Sequence, residues 1–261
     1  MRAWIVASLL ALAPAVFAQS DPINRAGQFP QFRDLSGLPG GGFGVTPEGL
    51  PSIRGALALS TPIGFSLGNG IFDIAFASRS YDNSPQFINT GTAGRRRSDG
   101  TGQGLIGVQT PLGLFTAGYE LISSKLDQTY NAQLQLPLAW KKAGISLGCQ
   151  NVTNRPEAAG DHVAGEDGMS RSFYAAGTYE VADGDYLTLG VGNVRFKGVF
   201  GSACAMITPQ VKGMLEYDTI SWNTGVAWSL GRLGDFQNTE TTLFFGYVGM
   251  HRATVSVSFA F

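Results

Sequence analysis

From residue 52 to its last residue, the chain consists of short segments in which apolar side chains alternate with polar or small ones. Each segment has about 8 to 11 residues and is followed by turn-forming residues, which is typical of β-strands. Thirteen such segments can be distinguished, the first at Ser52 to Ser60 and the second at Gly70 to Arg79. They predict an all-β antiparallel fold of about 12 to 14 strands.

The same alternation fits a soluble β-sandwich or a transmembrane β-barrel, which differ in whether the apolar face points to a core or to lipid. Two observations favour the barrel. Residues 80–102 and 153–170 are long polar connections, whereas "TPLG", "ADGD" and "TPQ" are short, and outer-membrane barrels have long loops at one end and short turns at the other. Trp and Tyr also lie near strand ends, as interfacial girdles require. We therefore predict a transmembrane antiparallel β-barrel, with a soluble β-domain as the alternative.

The N-terminal residues are predicted to direct export. Residues 1–18 contain Arg2, an apolar run and "AVFA", as in a cleaved signal peptide. No apolar run of about 20 residues follows, so a helical membrane protein is excluded. Residues 19–51 are rich in Gly and Pro and are predicted to be an irregular segment that plugs the barrel or supplies its first strand. The barrel is predicted at 52–261, in the outer membrane of a diderm bacterium.

The last segment, "ATVSVSFAF", has no charge after Arg252. An edge strand of a soluble sheet usually has a charge or a proline as protection, whereas closure of a barrel removes the edge. The segment resembles the C-terminal assembly signal of bacterial outer-membrane proteins, which Val257, Phe259 and Phe261 would form here. This resemblance implies that the barrel-assembly machinery, outer-membrane lipid and lipopolysaccharide are partners.

A second resemblance covers Leu187 to Trp228. Its elements "GVGNVRFKGVFG", the "TP" turn and "EYD" followed by "NTGVAW" resemble hairpins of the YjbH-like family of outer-membrane β-barrel proteins. Near the N-terminus, "GFGVTPEG" is similar to the entry segment of that family. The resemblance implies a non-catalytic role in exopolysaccharide production or export, with exopolysaccharide or its export machinery as a partner. The predicted fold alone leaves a small general diffusion porin as the alternative, and an outer-membrane hydrolase as a less favoured third.

Catalysis is not supported by the histidines. His162 and His251 are the two in the chain. The first lies in an acidic loop that reads as solvated, and the second has no serine spaced as a nucleophile. We predict no catalytic residue, no cofactor and no metal site. The net charge of −1 gives no basic surface for nucleic acid.

The polar faces of the predicted strands carry charges that would line the lumen. They would either tune the passage of ions or sugars or form ion pairs that hold a narrow, filled lumen shut. These candidate lumen-lining residues are Asp73, Glu120, Glu180, Lys212 and Glu216.

Arg95, Arg96 and Arg97 stand in the first long connection. Guanidinium groups bind phosphate and carboxylate groups, so these residues are candidates for contact with lipopolysaccharide or polysaccharide. A solvated charge run is the alternative. Cys149 and Cys204 are predicted to be unpaired packing residues, although export would permit a disulfide.

The strand count makes a demand on the N-terminal segment. If Phe261 lies at the periplasmic interface, alternate connections place the start of the first predicted strand, Ser52, on the outer side. The exported chain begins in the periplasm, so residues before Ser52 must cross the barrel as a further strand or through the lumen. Otherwise one predicted strand is wrong.

Overall fold

The computed structural model describes residues 31–80, 98–121, 128–155, 170–231, 239–250 and 252–261. In this part of the chain, twelve antiparallel strands form one closed barrel, each paired with its neighbours in sequence and β1 paired with β12. The strands are β1 (Phe72–Ser80), β2 (Ser98–Thr110), β3 (Gly113–Leu121), β4 (Gln128–Leu136), β5 (Ala143–Gln150), β6 (Ser172–Ala182), β7 (Asp185–Gly192), β8 (Gly198–Thr208), β9 (Val211–Tyr217), β10 (Trp222–Gly231), β11 (Glu240–Val248) and β12 (Arg252–Ala260). The predicted antiparallel barrel is confirmed.

The strand predicted at Ser52 to Ser60 is wrong. Strand β1 begins at Phe72, and the preceding residues form only isolated bridges, such as Val45 with Ala56. The alternation in "SIRGALALS" comes from an extended chain enclosed by the barrel, not from a strand of its wall. With this segment removed, the other twelve predicted strands match β1 to β12.

An even number of strands places both ends of the barrel sheet together. Phe72 and Phe261 exchange backbone hydrogen bonds of 2.8 and 3.2 Å, so β1 starts where β12 finishes. We call this the turn end, because the short connections 111–112, 183–184 and 209–210 lie there. Both long connections that the sequence predicted join strands at the opposite, loop end, which resolves the inconsistency in the strand count.

The outer surface of the barrel is apolar. Leu189, Ile207 and Phe245 point outward, with 69%, 64% and 48% of their surfaces exposed. On β12 the outward residues include Val257 and Phe259, and every strand is paired on both edges. A closed barrel with an apolar exterior satisfies its backbone without water, as a membrane-spanning sheet must. In the described residues, no helix is long and apolar enough to cross a membrane.

The barrel encloses residues 31–71, which we call the lumen segment. It begins at the loop end with a single 3-10 turn, Gln31–Arg33. Residues 32–45 are buried, residues 46–54 are partly exposed at the turn end, and residues 55–68 are buried again. Residues 69 and 70 emerge at the turn end next to the start of β1. The chain therefore fills the lumen by passing along it more than once.

An apolar core forms between the lumen segment and part of the wall. Phe43, Leu57, Phe65 and Leu67 pack with wall residues that include Tyr186, and the rings of Phe65 and Tyr186 meet edge to face at 5.8 Å. Each fully buried side chain of this kind contributes roughly 1.5–3 kcal/mol relative to exposure. The part of the lumen segment that lies towards the turn end is thus held by hydrophobic packing.

Candidate functional site

The wall of the lumen binds the backbone of the lumen segment through polar side chains. Gln133 Nε2 donates to the carbonyl of Phe65 at 2.7 Å, and the Gly64 N–H donates to Thr178 Oγ1 at 2.7 Å. Ser146 Oγ donates to the carbonyl of Ile63 at 2.8 Å. A buried chain without a strand partner needs such acceptors and donors. The alternating polar residues of the strands supply them.

Glu216 accepts hydrogen bonds from three successive backbone N–H groups of the lumen segment. Its Oε2 accepts the N–H groups of Leu59, Ser60 and Thr61 at 2.9, 3.1 and 3.0 Å. The hydroxyl groups of Ser60 and Thr61 add bonds of 2.6 and 2.9 Å to the two oxygens. Successive N–H groups that converge in this way form a concave anion site. Here a wall carboxylate occupies it.

Arg33 and Asp218 form a buried ion pair beside this site. Arg33 Nε donates to Asp218 Oδ2 at 2.8 Å, and both side chains are about 1% exposed or less. Burial alone would raise the pKa of Asp218, but the Arg33 guanidinium and the Asn223 amide lower that pKa to about 2. Asp218 lies in the connection between β9 and β10. It is therefore ionised and attaches the start of the lumen segment to the loop end.

Arg195, in the short connection between β7 and β8, completes the arrangement. Its guanidinium donates to the carbonyl of Ser60 at 2.7 Å, to Gln150 Oε1 at 2.9 Å and to the carbonyl of Phe32 at 3.2 Å. Burial lowers the pKa of Arg195 to about 10, against the opposing effect of Asp218 and Glu216. It therefore remains a cation at neutral pH. We call Arg33, Ser60, Arg195, Glu216 and Asp218 the loop-end cluster.

Two further wall carboxylates have neutral partners. Glu120 Oε2 accepts the Asn131 amide at 2.9 Å, and its Oε1 has no hydrogen-bond partner in the described residues. Asp73 accepts the Gln103 amide at 2.9 Å and the hydroxyl of Ser258. A buried carboxylate without a cation is costly in a permanently dry core.

The predicted lumen charges do not form one site. Glu216 and Lys212 contact the lumen segment, Lys212 by donating to the Gly55 carbonyl. Glu120 lies against Gly37, whereas the hydrogen bonds of Asp73 go to Gln103 and Ser258 of the wall. Glu180 is half-buried near the turn end and accepts the Gly184 N–H at 3.2 Å.

Several other predictions have simpler outcomes. Cys149 and Cys204 are unpaired and buried. Arg95, Arg96, Arg97, His162 and His251 lie outside the described residues, as does the predicted signal peptide at 1–18. In the described part of the chain, no three His, Cys, Asp or Glu side chains are grouped to hold a metal ion.

Arg33, Arg195 and Asp218 were not predicted as site residues. Arg33 lies in the segment that was predicted to be irregular, whereas Arg195 and Asp218 stand at the ends of two predicted strands, Tyr186 to Phe196 and Val211 to Asp218. In the structure these strands end earlier, at Gly192 and Tyr217, so both residues lie in connections. The inward side chains of the strands did contain a signal that could have revealed the enclosed segment. Gln103, Asn131, Gln133 and Gln150 are amides on inward strand positions, and amides that bind backbone groups indicate an enclosed chain.

Comparison with known proteins adds little beyond the fold. No protein family model matches the chain, and no curated protein is significantly similar in sequence. The solved structures that match include a KdgM porin and a KdgM porin in complex with disordered oligogalacturonate, with TM-scores of 0.46 and 0.45. Each is 12% identical, and each match covers 72% of this chain and 98% of that chain. At this distance the likeness carries no argument, and the fold assignment rests on the strand register itself.

Proposed function

We propose that the protein is a non-catalytic outer-membrane channel for small polar solutes, of the general diffusion porin kind, which its own lumen segment closes in the described state. The observation that carries this proposal is the wall of the lumen. It is lined by hydroxyl, amide and carboxylate groups that bind the lumen segment through its backbone. Water can take over such bonds when the segment moves.

The buried carboxylates support a channel over a purely structural barrel. Asp73 and Glu120 have only neutral hydrogen-bond partners. A core that stayed dry would have to hold them protonated or bear the free-energy cost of their charge, whereas a lumen that is hydrated part of the time can hold them ionised. The apolar core around Phe65 opposes complete departure of the segment. Opening is therefore a partial movement.

The exopolysaccharide role stays a prediction that rests on sequence resemblance to the YjbH-like family. It needs a closed β-barrel, which the chain has, but no feature of the described residues is specific to a polysaccharide. A hydrolase has less support, because His162 stands in an acidic loop that is expected to be solvated and His251 has no serine spaced as a nucleophile.

The test compares two Arg–Asp ion pairs in the full-length protein. Arg33→Ala removes the buried pair with Asp218, and Arg54→Ala removes an exposed pair with Asp183 at the turn end. In planar bilayers we expect rare openings of the wild type, a several-fold higher open fraction for Arg33→Ala, and wild-type behaviour for Arg54→Ala.

Two results would count against the proposal. If neither the wild type nor Arg33→Ala gives discrete conductance, although both show folded-barrel migration in unboiled gels, the barrel is a closed structural element. If the wild type conducts continuously and Arg33→Ala is identical, the lumen segment does not close the channel.

A further inference from the structure

One side of the lumen has an unusual lining. Where β1 and β12 close the barrel, the inward residues from the middle to the turn end are small, apart from Asp73. Elsewhere the inward positions include Tyr174, Tyr186, Phe200 and Met214. We call the small-residue side the seam wall; it consists of Asp73, Ala75, Ala77, Thr254, Ser256 and Ser258.

The lumen segment is only lightly attached to the seam wall. Leu35 packs against Ala75 and Ala77, and Gly42 lies so close to Ser256 that a Cβ on Gly42 would be 2.8 Å from Ser256 Oγ. Thr254 and Ser258 of the seam wall bond within the barrel wall, Thr254 by donating to the Ser78 carbonyl at 3.4 Å and Ser258 by donating to Asp73. From Asp73 to Ala77 and from Thr254 to Ser258, no described side chain hydrogen-bonds to the lumen segment.

The remaining walls hold the segment far more firmly. Side chains of β2 to β6, of β8, β9 and β11 and of the β7–β8 connection bind its backbone, and Glu216 alone accepts three N–H groups. Separating the segment from those walls would break charge-assisted hydrogen bonds, whereas separating it from the seam wall breaks only dispersion contacts.

Water would stabilise separation at the seam wall. Ser256 Oγ is buried without a hydrogen-bond partner among the described residues, and so is Thr242 Oγ1 on the adjacent β11. An unsatisfied buried hydroxyl group carries a free-energy cost that water removes. Entry of water on this side would therefore satisfy two hydroxyl groups and would break no hydrogen bond to the lumen segment.

Resting on the proposed channel function, we propose that solutes pass between the lumen segment and the seam wall, and that Asp73 selects small cations on this path. Asp73 is the carboxylate of this wall, and it is held by the neutral groups of Gln103 and Ser258. Hydration of this path would favour the ionised form of Asp73, and its charge would then act on a passing ion. Arg252, at the loop end of β12, is not a free cation on this path, because it already interacts with other groups.

The first test measures water access from each side of the lumen. In full-length protein carrying Cys149→Ala, Cys204 is the remaining native thiol and lies on β8 with Sγ 3.3 Å from the Leu57 nitrogen. Ser256→Cys adds a thiol to the seam wall. Ser146→Cys, the matched control, adds one on β5, where the native hydroxyl binds Ile63. With a small cationic methanethiosulfonate we expect Ser256→Cys to react at least tenfold faster than Ser146→Cys or Cys204, and the label to reduce conductance.

The second test measures selectivity. Under a KCl gradient we expect the wild type to prefer K⁺ over Cl⁻, and Asp73→Asn to lose most of that preference. Asparagine has nearly the size of aspartate and retains an oxygen that can accept the Gln103 amide, so the structure of the seam wall is preserved. Faster labelling of Ser146→Cys, or a reversal potential unchanged in Asp73→Asn, would overturn the proposed path while leaving the channel intact. Absence of all conductance would instead overturn the channel function.

Discussion

Arg33 and Asp218 are 185 positions apart in the chain, yet Arg33 Nε donates to Asp218 Oδ2 at 2.8 Å inside the barrel. Arg33 also donates to the hydroxyl of Ser221 in the same connection. The ion pair joins the start of the lumen segment to the β9–β10 connection, which takes shape only after most of the wall has been synthesised. Closure of the lumen therefore depends on folding of the C-terminal half.

This ion pair gives the first prediction, a pH dependence. The pKa of Asp218 is lowered to about 2, below the value of about 3.9 for an unpaired aspartate. Its stabilising effect is therefore complete above about pH 4 and is lost as the pH falls towards 2. We expect the open fraction in bilayers to rise over this interval.

Asp218→Asn is the control for that pH dependence. It removes the charge at every pH, so its open fraction should already be high at neutral pH and should change less on acidification. If the open fraction rises equally on acidification in the wild type and in Asp218→Asn, the pH dependence comes from other carboxylates.

The second prediction concerns Glu216. Glu216→Gln places an amide, which offers one acceptor atom and two donors, against the N–H groups of Leu59, Ser60 and Thr61. Loss of charge-assisted bonds worth about 1.5–3 kcal/mol each should destabilise the closed state by several kcal/mol. We expect a clear fall in the temperature at which the folded band disappears in detergent gels.

Glu180→Gln is the matched substitution, because Glu180 is half-buried and accepts one N–H, from Gly184. It should leave the gel transition nearly unchanged. Equal shifts of the gel transition temperature in the two variants would mean that the Glu216 contacts stabilise the closed state no more than the single Glu180 contact does.

The third prediction tests a close approach of two backbones. A Cβ on Gly64 would lie 2.3 Å from the Gly144 carbonyl oxygen and 2.7 Å from the Thr178 nitrogen. Gly64→Ala must therefore push the lumen segment away from β5 and β6, and it should lose the bond from Gly64 N–H to Thr178 Oγ1. We expect a lower gel transition temperature and a higher open fraction. Gly177→Ala, where the nearest atom is 3.9 Å away, should behave as wild type.

The wall of this barrel could be predicted from sequence because strand periodicity is a local property. A strand with lipid on one side and a polar lumen on the other must alternate, and twelve segments did so at the observed positions. The lumen segment could not be distinguished in the same way. Ser52 to Ser60 alternates as well, but its N–H groups bond to side chains such as Glu216, and only the assembled fold brings those side chains near.

The loop-end cluster was partly predictable. Glu216 was placed in the lumen because it shares a strand face with Lys212, opposite the large apolar residues of that strand. Whether such a charge lines a pore or holds a filled lumen depends on what lies opposite, and that is a contact between residues more than 150 positions apart. Arg195 and Asp218 lie in turns, where periodicity assigns no direction.

Closure of the channel by the lumen segment is tested most directly by tethering this segment to the seam wall in the full-length protein. A Cβ on Gly42 would lie 3.9 Å from the Cβ of Ser256, within the usual disulfide range of about 3.5–4.5 Å. Gly42 has φ +80°, so its substitution costs about 1–2 kcal/mol. The single variant Gly42→Cys controls for that strain.

The tether is introduced with Asp218→Asn, which favours opening, and conductance is recorded before and after reduction. Mass spectrometry confirms the disulfide. We expect the oxidised Gly42→Cys/Ser256→Cys protein to be closed, reduction to restore its conductance, and Gly42→Cys alone not to respond. Equal conductance in the oxidised and reduced states would contradict closure of the channel by the lumen segment.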